Sequence, residues 1–557
     1  MENIRTPRLA MAAAVAVASI TLAACGGDSS SSSDSGELKK VFSCEDSSAA
    51  GARVVCIGSK KDLSDETVAA ELITALNTAQ TGDTIVLPQG RYEISSELTF
   101  DGNGSLGQVG MVTDLTIRGA GMDKTILDFD AATSGGDKAD GFFISNTEDI
   151  LMEDLGVYEA PNNAIKLKKT DGIVLRRVAT VWETDYQASN GAYGLYPVET
   201  SNVLIEDCYV KGSADAGVYV GQSENIVVRN NIAEKNVAGI EIENSKNADV
   251  YNNVARGNTG GILIFDLPIG NGIYGDGVRV FGNTVEANNA PNFANVSDFA
   301  GGVHIVPPGT GVIVLSTSNV EIFDNDITDH QTTSVAITSY MLPDDKVAQE
   351  PNQAVGTEVL SYGDIATYAP EYLDGWSPLV RGINVHDNRI SVAEGIYAPE
   401  GKLITDLITG YNAYGVQIPH ILYDGIGELL ANAGSMGQIA DGINQIAAAL
   451  DNNSLESDGL QIPDTGVFAQ YGNGDHVCAS NNGDGVTQAS VYPTNPAEAS
   501  FTDGVPDPAF VASNDSMTCG GNTGFTPVTV AAATVSVRGV SYGCGADDTS
   551  STHCSAD

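Results

Sequence analysis

The stretch GVYVGQSENIVVRNN, Gly217–Asn231, is followed by GIEIENSKNADVYNN, Gly239–Asn253, which repeats its pattern 22 residues later. Each copy holds two short runs in which apolar residues alternate with outward-facing ones, and each copy ends in Asn-Asn. Alternation over such short runs predicts β-strands. Strands this short cannot bury a face alone, so the repeat predicts a coil of stacked parallel strands with one turn per repeat.

The pattern continues in both directions from these two copies. Full or half copies begin at Gly141, Ala164, Gly194, Gly261, Gly311 and Ser334. We therefore expect about nine turns, within residues 66–395.

One polar column supports the stacking. The last residue of the motif is asparagine in five turns, at Asn231, Asn253, Asn283, Asn325 and Asn388. Turns lie about 4.8 Å apart, a distance at which identical amides hydrogen-bond as a ladder. Cys208 takes the same position one turn before the first of them, which predicts a buried free thiol.

Two early segments suggest a family. LNTAQTGDTIVLPQGRYEI (76–94) and TIRGAGMDKTILDF (116–129) resemble the first coils of the right-handed parallel β-helix proteins, the pectate-lyase-like superfamily. More narrowly, DAGVYVGQSENIVVRNN, VAGIEIENSKNADVYNN and TGGILIFDLP resemble a group of exported bacterial β-helix lipoproteins whose biochemical role is not settled. The resemblance implies an all-β, right-handed, single-stranded parallel β-helix with an N-terminal capping helix. It does not imply an activity, because the fold hosts lyases, hydrolases, epimerases and non-catalytic adhesins.

The N-terminus has the pattern of an export signal. Arg5 and Arg8 precede an alanine-rich apolar run that closes with LAAC, Leu22–Cys25. This predicts a lipoprotein signal peptide over residues 1–24, a lipid-modified Cys25 and a Gly/Ser-rich tether over 25–40. Because Gly26 follows the cysteine, we expect an anchor in the outer membrane of a Gram-negative bacterium.

The remaining cysteines suit an oxidising compartment. Proximity along the chain suggests three disulfides, one of which closes the segment 41–65: Cys44–Cys56, Cys478–Cys519 and Cys544–Cys554. After Asn388 the repeat fades, and residues 396–557 are expected to form a helical cap and a disulfide-rich loop region. Helical spacing marks 401–411 and 426–450. We expect a monomer.

Charge restricts the partners. Acidic residues outnumber basic ones 72 to 27, a formal net charge of −45, which argues against nucleic acid and anionic membrane surfaces. The membrane is then reached only through the lipid anchor. No cofactor is required by any motif, although Ca²⁺ is possible on so acidic a chain.

Insertions indicate where a ligand could bind. Long segments, 183–190, 267–276, 286–310 and 340–380, flank the first strand of the repeat. Long loops in compact repeats are commonly functional, so the outer face of the first strand is the predicted cleft. The residues expected to line it for ligand binding are Trp182, Tyr193, Tyr196, Tyr219, Gln222, Asn244 and Asp266.

Catalytic candidates are fewer. Lys166 and Lys168 could act as bases in a polyuronate lyase, and Glu241 and Glu243 as the carboxyl pair of a hydrolase. The alternative is that all four form solvated charge ladders. Since no Gly-His-Gly, Asp-Asp turn or Asp-Pro-His motif is present, we expect a binding protein whose ligand is a polysaccharide or an exported protein partner. A polysaccharide lyase or related enzyme using the same cleft remains the alternative.

Overall fold

The computed structural model of the chain describes residues 38–44, 53–104, 110–134, 137–267, 273–294, 303–339, 379–392, 402–432, 472–495, 497–502, 505–511, 515–549 and 554. The predicted signal peptide, Cys25, most of the tether and most of the 340–380 insertion lie outside these residues.

The strands form three columns along one coil, and neighbours within a column are parallel. Two long strands, Phe142–Tyr158 and Ile165–Val181, pass through all three columns. The other members of the first column are Leu98–Asp101, Leu195–Val198, Ala216–Gly221, Ala238–Glu243, Gly260–Phe265, Thr310–Leu315, Thr333–Thr338, Ile421–Tyr423 and Gln488–Ser490.

The other two columns complete each turn. The second column adds Val54–Cys56, Thr84–Val86, Thr116–Arg118, Ser201–Glu206, Glu224–Arg229, Lys246–Tyr251, Asp276–Phe281, Ser318–Phe323, Arg381–His386 and Val477–Ser480. The third adds Gly90–Glu93, Thr125–Asp128, Tyr209–Lys211, Ile232–Glu234, Val254–Arg256, Thr284–Glu286, Asp326–His330 and Arg389–Val392. Counted from the first column, nine turns of the described residues contribute a strand to every column, which is the number expected.

Short elements surround the coil. The N-terminal helix, Asp65–Asn77, begins after Ser64, whose hydroxyl accepts the Thr67 N–H, and it buries Val68 and Leu72 against the first turns. The other helical elements are the helices Lys402–Ala413 and Ile426–Asn432 and the 3₁₀ turns Val303–Ile305 and Asp515–Met517. Three small antiparallel strand pairs complete the structure: Thr133–Ser134 with Asp137–Lys138, Phe501–Thr502 with Val505–Pro506, and Val535–Val537 with Val540–Tyr542. No helix of the described residues is long and apolar enough to cross a membrane.

The interior is apolar and in register. Val218, Ile240, Ile262 and Val312 lie directly above one another, as the repeat predicts, and each is fully buried. Such columns of β-branched side chains suit a pleated surface that is buried on one face.

The predicted asparagine ladder is confirmed and is longer than expected. Each amide oxygen accepts both the backbone N–H and the side-chain N–H of the asparagine one turn before it, and the series runs Asn231, Asn253, Asn283, Asn325, Asn388, Asn482. Cys208 precedes it as a buried free cysteine whose N–H donates to the Asn231 side chain.

A second ladder lies at another bend of the coil. It consists of Asn236, Asn258 and Asn288, and the amide of Asn288 ends it on Nε2 of His330 at 3.1 Å. Burial lowers the pKa of His330 to about 3, so this imidazole stays neutral.

The C-terminal region differs from its prediction. Strands Ile421–Tyr423, Val477–Ser480 and Gln488–Ser490 pair with the columns, so the coil continues past residue 395, where the sequence predicts its end. Helix Ile426–Asn432 covers the start of the predicted helical stretch 426–450, and the remainder of that stretch lies outside the described residues. All three predicted disulfides are present.

Residues 526–549, here called the C-terminal strap, run back along the outside of the second column. The strap starts near the last turns, where the Thr526 N–H donates to the Asn473 carbonyl, and reaches the early turns, where Arg538 pairs with Asp114 at 2.7 Å. The second column therefore has a covered outer face.

Candidate functional site

The outer face of the first column has two unlike halves. One outward row reads, turn by turn, Phe143, Lys166, Tyr196, Tyr219, Glu241, Leu263, Ile313, Ala336. The early turns thus present aromatic and charged groups, and the later turns present aliphatic ones.

The later half is covered. Phe293, Val303 and Val306, from the 286–310 insertion, pack on Leu263 and neighbouring apolar side chains in one buried cluster. The insertion that the sequence predicts as a wall of the cleft is therefore a cover over this part of the face.

The early half carries a cationic and aromatic surface. Lys166 Nζ lies 5.7 Å from the ring centre of Phe143 and 5.2 Å from that of Tyr196, distances at which an ammonium is attracted to both rings. All three side chains are half-buried, with part of their surface open. Among the described residues Lys166 forms no ion pair, whereas Lys168 pairs with Glu199 at 2.9 Å. We call Phe143, Lys166 and Tyr196 the open platform.

Three tyrosines form the inner edge of this platform. The ring centres of Tyr193, Tyr196 and Tyr219 lie 4.4 to 5.0 Å apart, in tilted or edge-on contacts. Burial raises the pKa of each phenol, so all three hydroxyls stay protonated and can donate hydrogen bonds.

Two of these phenol hydroxyls donate hydrogen bonds to buried carboxyl groups. The Tyr219 hydroxyl donates to Glu243 Oε1 at 2.8 Å, the Gln222 amide donates to the same oxygen at 3.0 Å, and the Tyr193 hydroxyl donates to Asp215. Glu241 lies beside them, and one of its carboxyl oxygens has no hydrogen-bond partner among the described residues.

Burial controls the charge of this acidic cluster of Asp215, Glu241 and Glu243. All three side chains are less than a tenth exposed. Burial raises the pKa of Glu243 to about 7, and it raises those of Asp215 and Glu241 well above their ordinary values, with mutual repulsion adding to the effect. The interpretation of Glu241 and Glu243 as solvated charge ladders is therefore wrong, because both carboxyls are buried.

Several predicted cleft residues are buried in structural roles. Trp182 is 2% exposed and its indole N–H donates to the Ala160 carbonyl, so its predicted place in the cleft is wrong. Asn244 is fully buried and bonds both the carbonyl and the N–H of Leu267, which fixes the strand end. Gln222 supports the cluster, and burial holds the pKa of Asp266 well above its ordinary value.

Sequence reasoning missed three contributors to this site. Asp215 immediately precedes the strand Ala216–Gly221, and Phe143 takes the Lys166 position one turn earlier, so the repeat alignment contained the signal for both. Asp140 is a buried acid near Lys166 that accepts bonds from Asn162 and Asn163, and no pattern in the sequence marks it.

No group of three or more metal-ligating side chains is found among the described residues. The suggested Ca²⁺ therefore has no identified position in them, and it stays a prediction.

The family comparison matches this architecture. Residues 111–276, which include the platform and the acidic cluster, match the family model described as a right handed beta helix region. The chain contains a right-handed parallel β-helix. No curated protein matches it.

Solved structures similar to this β-helix include carbohydrate enzymes. The A-module of a mannuronan C-5 epimerase from Azotobacter vinelandii is 15% identical, with 64% of this chain and 87% of that chain covered and a TM-score of 0.35. A polygalacturonase from Erwinia carotovora is 13% identical, with 56% of this chain and 94% of that chain covered and a TM-score of 0.35. A DFA-IIIase from Arthrobacter chlorophenolicus is 12% identical, with 67% of this chain and 92% of that chain covered and a TM-score of 0.37. Scores this low decide nothing further about this β-helix.

Proposed function

We propose that the protein binds a polysaccharide on the early half of the first-column face, at the open platform, without chemistry on the bound chain. Flat tyrosine and phenylalanine rings can stack on sugar rings, and the phenol and ammonium groups can hydrogen-bond hydroxyls. Phe143, Lys166 and Tyr196 lie on three successive turns, about 4.8 Å apart, which suits a ligand that extends along the axis.

The observation that supports the proposal is the environment of the Lys166 ammonium. It is an ammonium between two aromatic rings, with no ion pair among the described residues of a strongly acidic chain. Asp140 lies near this ammonium without forming an ion pair with it. A cation that has no direct ion pair on an open surface favours a ligand with carboxylate or other anionic groups. The net charge of −45 opposes such a ligand at long range, so the local ammonium has to outweigh it at contact.

A second candidate function is catalysis, as a lyase or related enzyme. The observation in its favour is Glu243, whose pKa of about 7 suits proton transfer near neutral pH, next to the Tyr219 hydroxyl. Against it, Tyr219 is 4% and Glu243 7% exposed, so a substrate would have to displace protein to reach them. We therefore favour binding.

A polysaccharide panel separates the two functions. Neutral and acidic glycans are added with and without Ca²⁺, and both thermal shift and the ultraviolet absorbance of an unsaturated uronate product are measured. We expect a shift with at least one acidic glycan and flat absorbance. The apparent affinity for that glycan, measured from the concentration dependence of the thermal shift, should fall at least tenfold in Lys166→Gln and in Tyr196→Ala.

Two control variants keep the test specific. Tyr414→Ala removes the most exposed described tyrosine, 68% exposed, from another part of the chain, and Lys61→Gln removes an exposed lysine near the N-terminal cap. Neither should change the shift. If an unsaturated product absorbs in the wild type and this absorbance is lost in Glu243→Gln, the protein is an enzyme and the binding proposal is wrong. If no glycan gives a thermal shift, an exported protein is the remaining candidate partner.

We also propose that the protein is a monomer anchored in the outer membrane through Cys25. Globomycin, which blocks removal of the lipoprotein signal peptide, should leave a longer precursor that is retained in the inner membrane, and Cys25→Ala should remove the lipid and with it the anchor in the outer membrane. Unchanged partition in both experiments would refute the anchor, and sedimentation of the released form would test the monomer.

A further inference from the structure

The C-terminal strap, residues 526–549, makes its most specific contacts at its tip. The tip is the hairpin Val535–Val537 with Val540–Tyr542, closed by Arg538 and Gly539, which both have positive φ as a tight hairpin turn requires. The Arg538 guanidinium pairs with Asp114 at 2.7 Å and donates to the Leu115 carbonyl at 3.0 Å. This anchors the tip on the early turns of the β-helix.

The strap covers an apolar strip with few side chains of its own. Val535 and Val537 pack on Val174, Leu204 and Val227, which project outward from the second column. A two-stranded hairpin of three-residue strands is not stable alone, so the strap depends on this docking.

A small disulfide loop follows the hairpin. Cys544 and Cys554 are 10 residues apart and bonded, and the loop between them presents Asp547 to Arg229 of the second column. Both carboxylate oxygens of Asp547 accept from that guanidinium, at 2.9 and 2.7 Å, and one also accepts the Gly543 N–H at 2.8 Å. Arg229 is itself buried and also bonds Glu206, so this contact holds the strap against the coil wall.

We propose that the Cys544–Cys554 disulfide is a redox-sensitive latch that keeps the strap docked on the second column. While the loop is closed, Asp547 is held near Arg229, and both ends of the hairpin are fixed. Once the loop opens, Asp547 moves more freely, and the entropy of release is opposed by the two valines, by Arg538 and by the hydrogen bonds of Val528, Val530 and Ser536 to the second column.

The chemistry of opening is thiol–disulfide exchange. A small dithiol attacks one sulfur, the S–S bond breaks through a mixed disulfide, and the second thiol of the reductant completes the exchange. Two electrons and two protons pass to the protein, which then carries two cysteine thiols, and the reductant becomes a disulfide. Cys554 is half-buried and Cys544 is 7% exposed, so the sulfur of Cys554 is the more accessible.

Trypsin cleavage after Arg538 reports on the latch. Arg538 is exposed in the docked strap, but its guanidinium is held by Asp114, Leu115 and Thr116 and its backbone lies in a tight turn, so the segment cannot extend into the active site of the protease. The full-length protein is compared with Cys544→Ser/Cys554→Ser, and with the wild type after brief treatment with dithiothreitol. Fragments are identified by mass spectrometry, and fluorescence of an apolar dye measures uncovering of the strip under the strap.

We expect at least a tenfold faster cleavage after Arg538 in the double variant and in the reduced wild type, with higher dye fluorescence. Cleavage after Arg256, in a strand of the third column away from the strap, should not change, since the coil stays folded. The matched control is Cys44→Ser/Cys56→Ser, which opens a loop of similar length, 12 residues, at the other end of the chain, and its strap should stay protected.

Three results would overturn the latch. Equal protection of Arg538 with and without the disulfide would show that the docked contacts suffice. Equal acceleration at Arg256 would show global unfolding, and equal acceleration in the control variant would show a general loss of stability.

Discussion

Asn253→Leu tests the ladder that holds one bend of the coil. The side chain of Asn253 donates to Asn283 Oδ1 at 3.0 Å and to the Val228 carbonyl at 2.9 Å. Its own oxygen accepts the backbone and side-chain N–H groups of Asn231, both at 2.9 Å. Leucine has the same branching and the same number of side-chain heavy atoms, is somewhat larger, and cannot replace any of these bonds.

The cost follows from which groups lose all partners. Asn283 Oδ1 keeps the bond from the backbone N–H of residue 253, at 2.9 Å, so it is not orphaned. Three buried groups lose the hydrogen bond that they make with the Asn253 side chain: the Asn231 backbone N–H, one amide N–H of Asn231, and the Val228 carbonyl. At about 1–3 kcal/mol each, the expected loss is roughly 3–6 kcal/mol, because the groups share one bend and do not add fully.

Thermal unfolding measures this loss. With an unfolding entropy of about 2.1 cal/mol/K per residue, the substitution should lower Tm by about 3–5 °C in a chain of this size. The control is Asn103→Leu, at an exposed turn residue, which should change Tm by less than about 1 °C. Asn244→Leu would not serve, because Asn244 is fully buried and hydrogen-bonded. Equal losses in Asn253→Leu and Asn103→Leu would refute the energetic role of the ladder.

Two further predictions concern titration. Because the pKa of Glu243 is raised from 4.5 to about 7, the folded state holds a proton that the unfolded state releases, so stability should fall by up to roughly 3 kcal/mol between about pH 4.5 and 7. Glu243→Gln should flatten that part of the curve in urea titrations, and an unchanged slope would contradict the assignment. Burial raises the pKa of Cys208 to about 12, so the thiol should resist alkylation in the native protein and react after unfolding, as mass spectrometry can measure; rapid native labelling would contradict its burial.

The sequence predicts those features that repeat with the turn. Val218 and Ile240 fall in register because the same alternation recurs 22 residues later, and the first asparagine ladder follows from the same spacing. The second ladder shows the same signal at Asn236 and Asn258, which sequence reasoning missed. Local repetition thus determines both the interior and the bends.

Features made by distant segments could not be predicted in this way. Glu241 alternates outward, as its position in the strand predicts, yet it is buried, since alternation gives the direction of a side chain and not what covers it. The strap contains the apolar stretch VTVAAATVSV, Val528–Val537, but this pattern does not indicate what it packs on, and its partner Asp149 lies 389 residues before Arg538. Contacts of that separation leave no local pattern.

The strap also constrains how this chain can change in length by duplication of a repeat. An added turn of the coil separates its two ends by about 4.8 Å more, while an extended residue spans only about 3.3 Å. Between the contact of Val530 with Glu321 and that of Arg538 with Asp149, a duplicated turn would thus require one or two new strap residues at the same time. A chain without such a strap can gain turns one by one, whereas here an insertion in the coil is tolerated only with a matching insertion some hundreds of residues later.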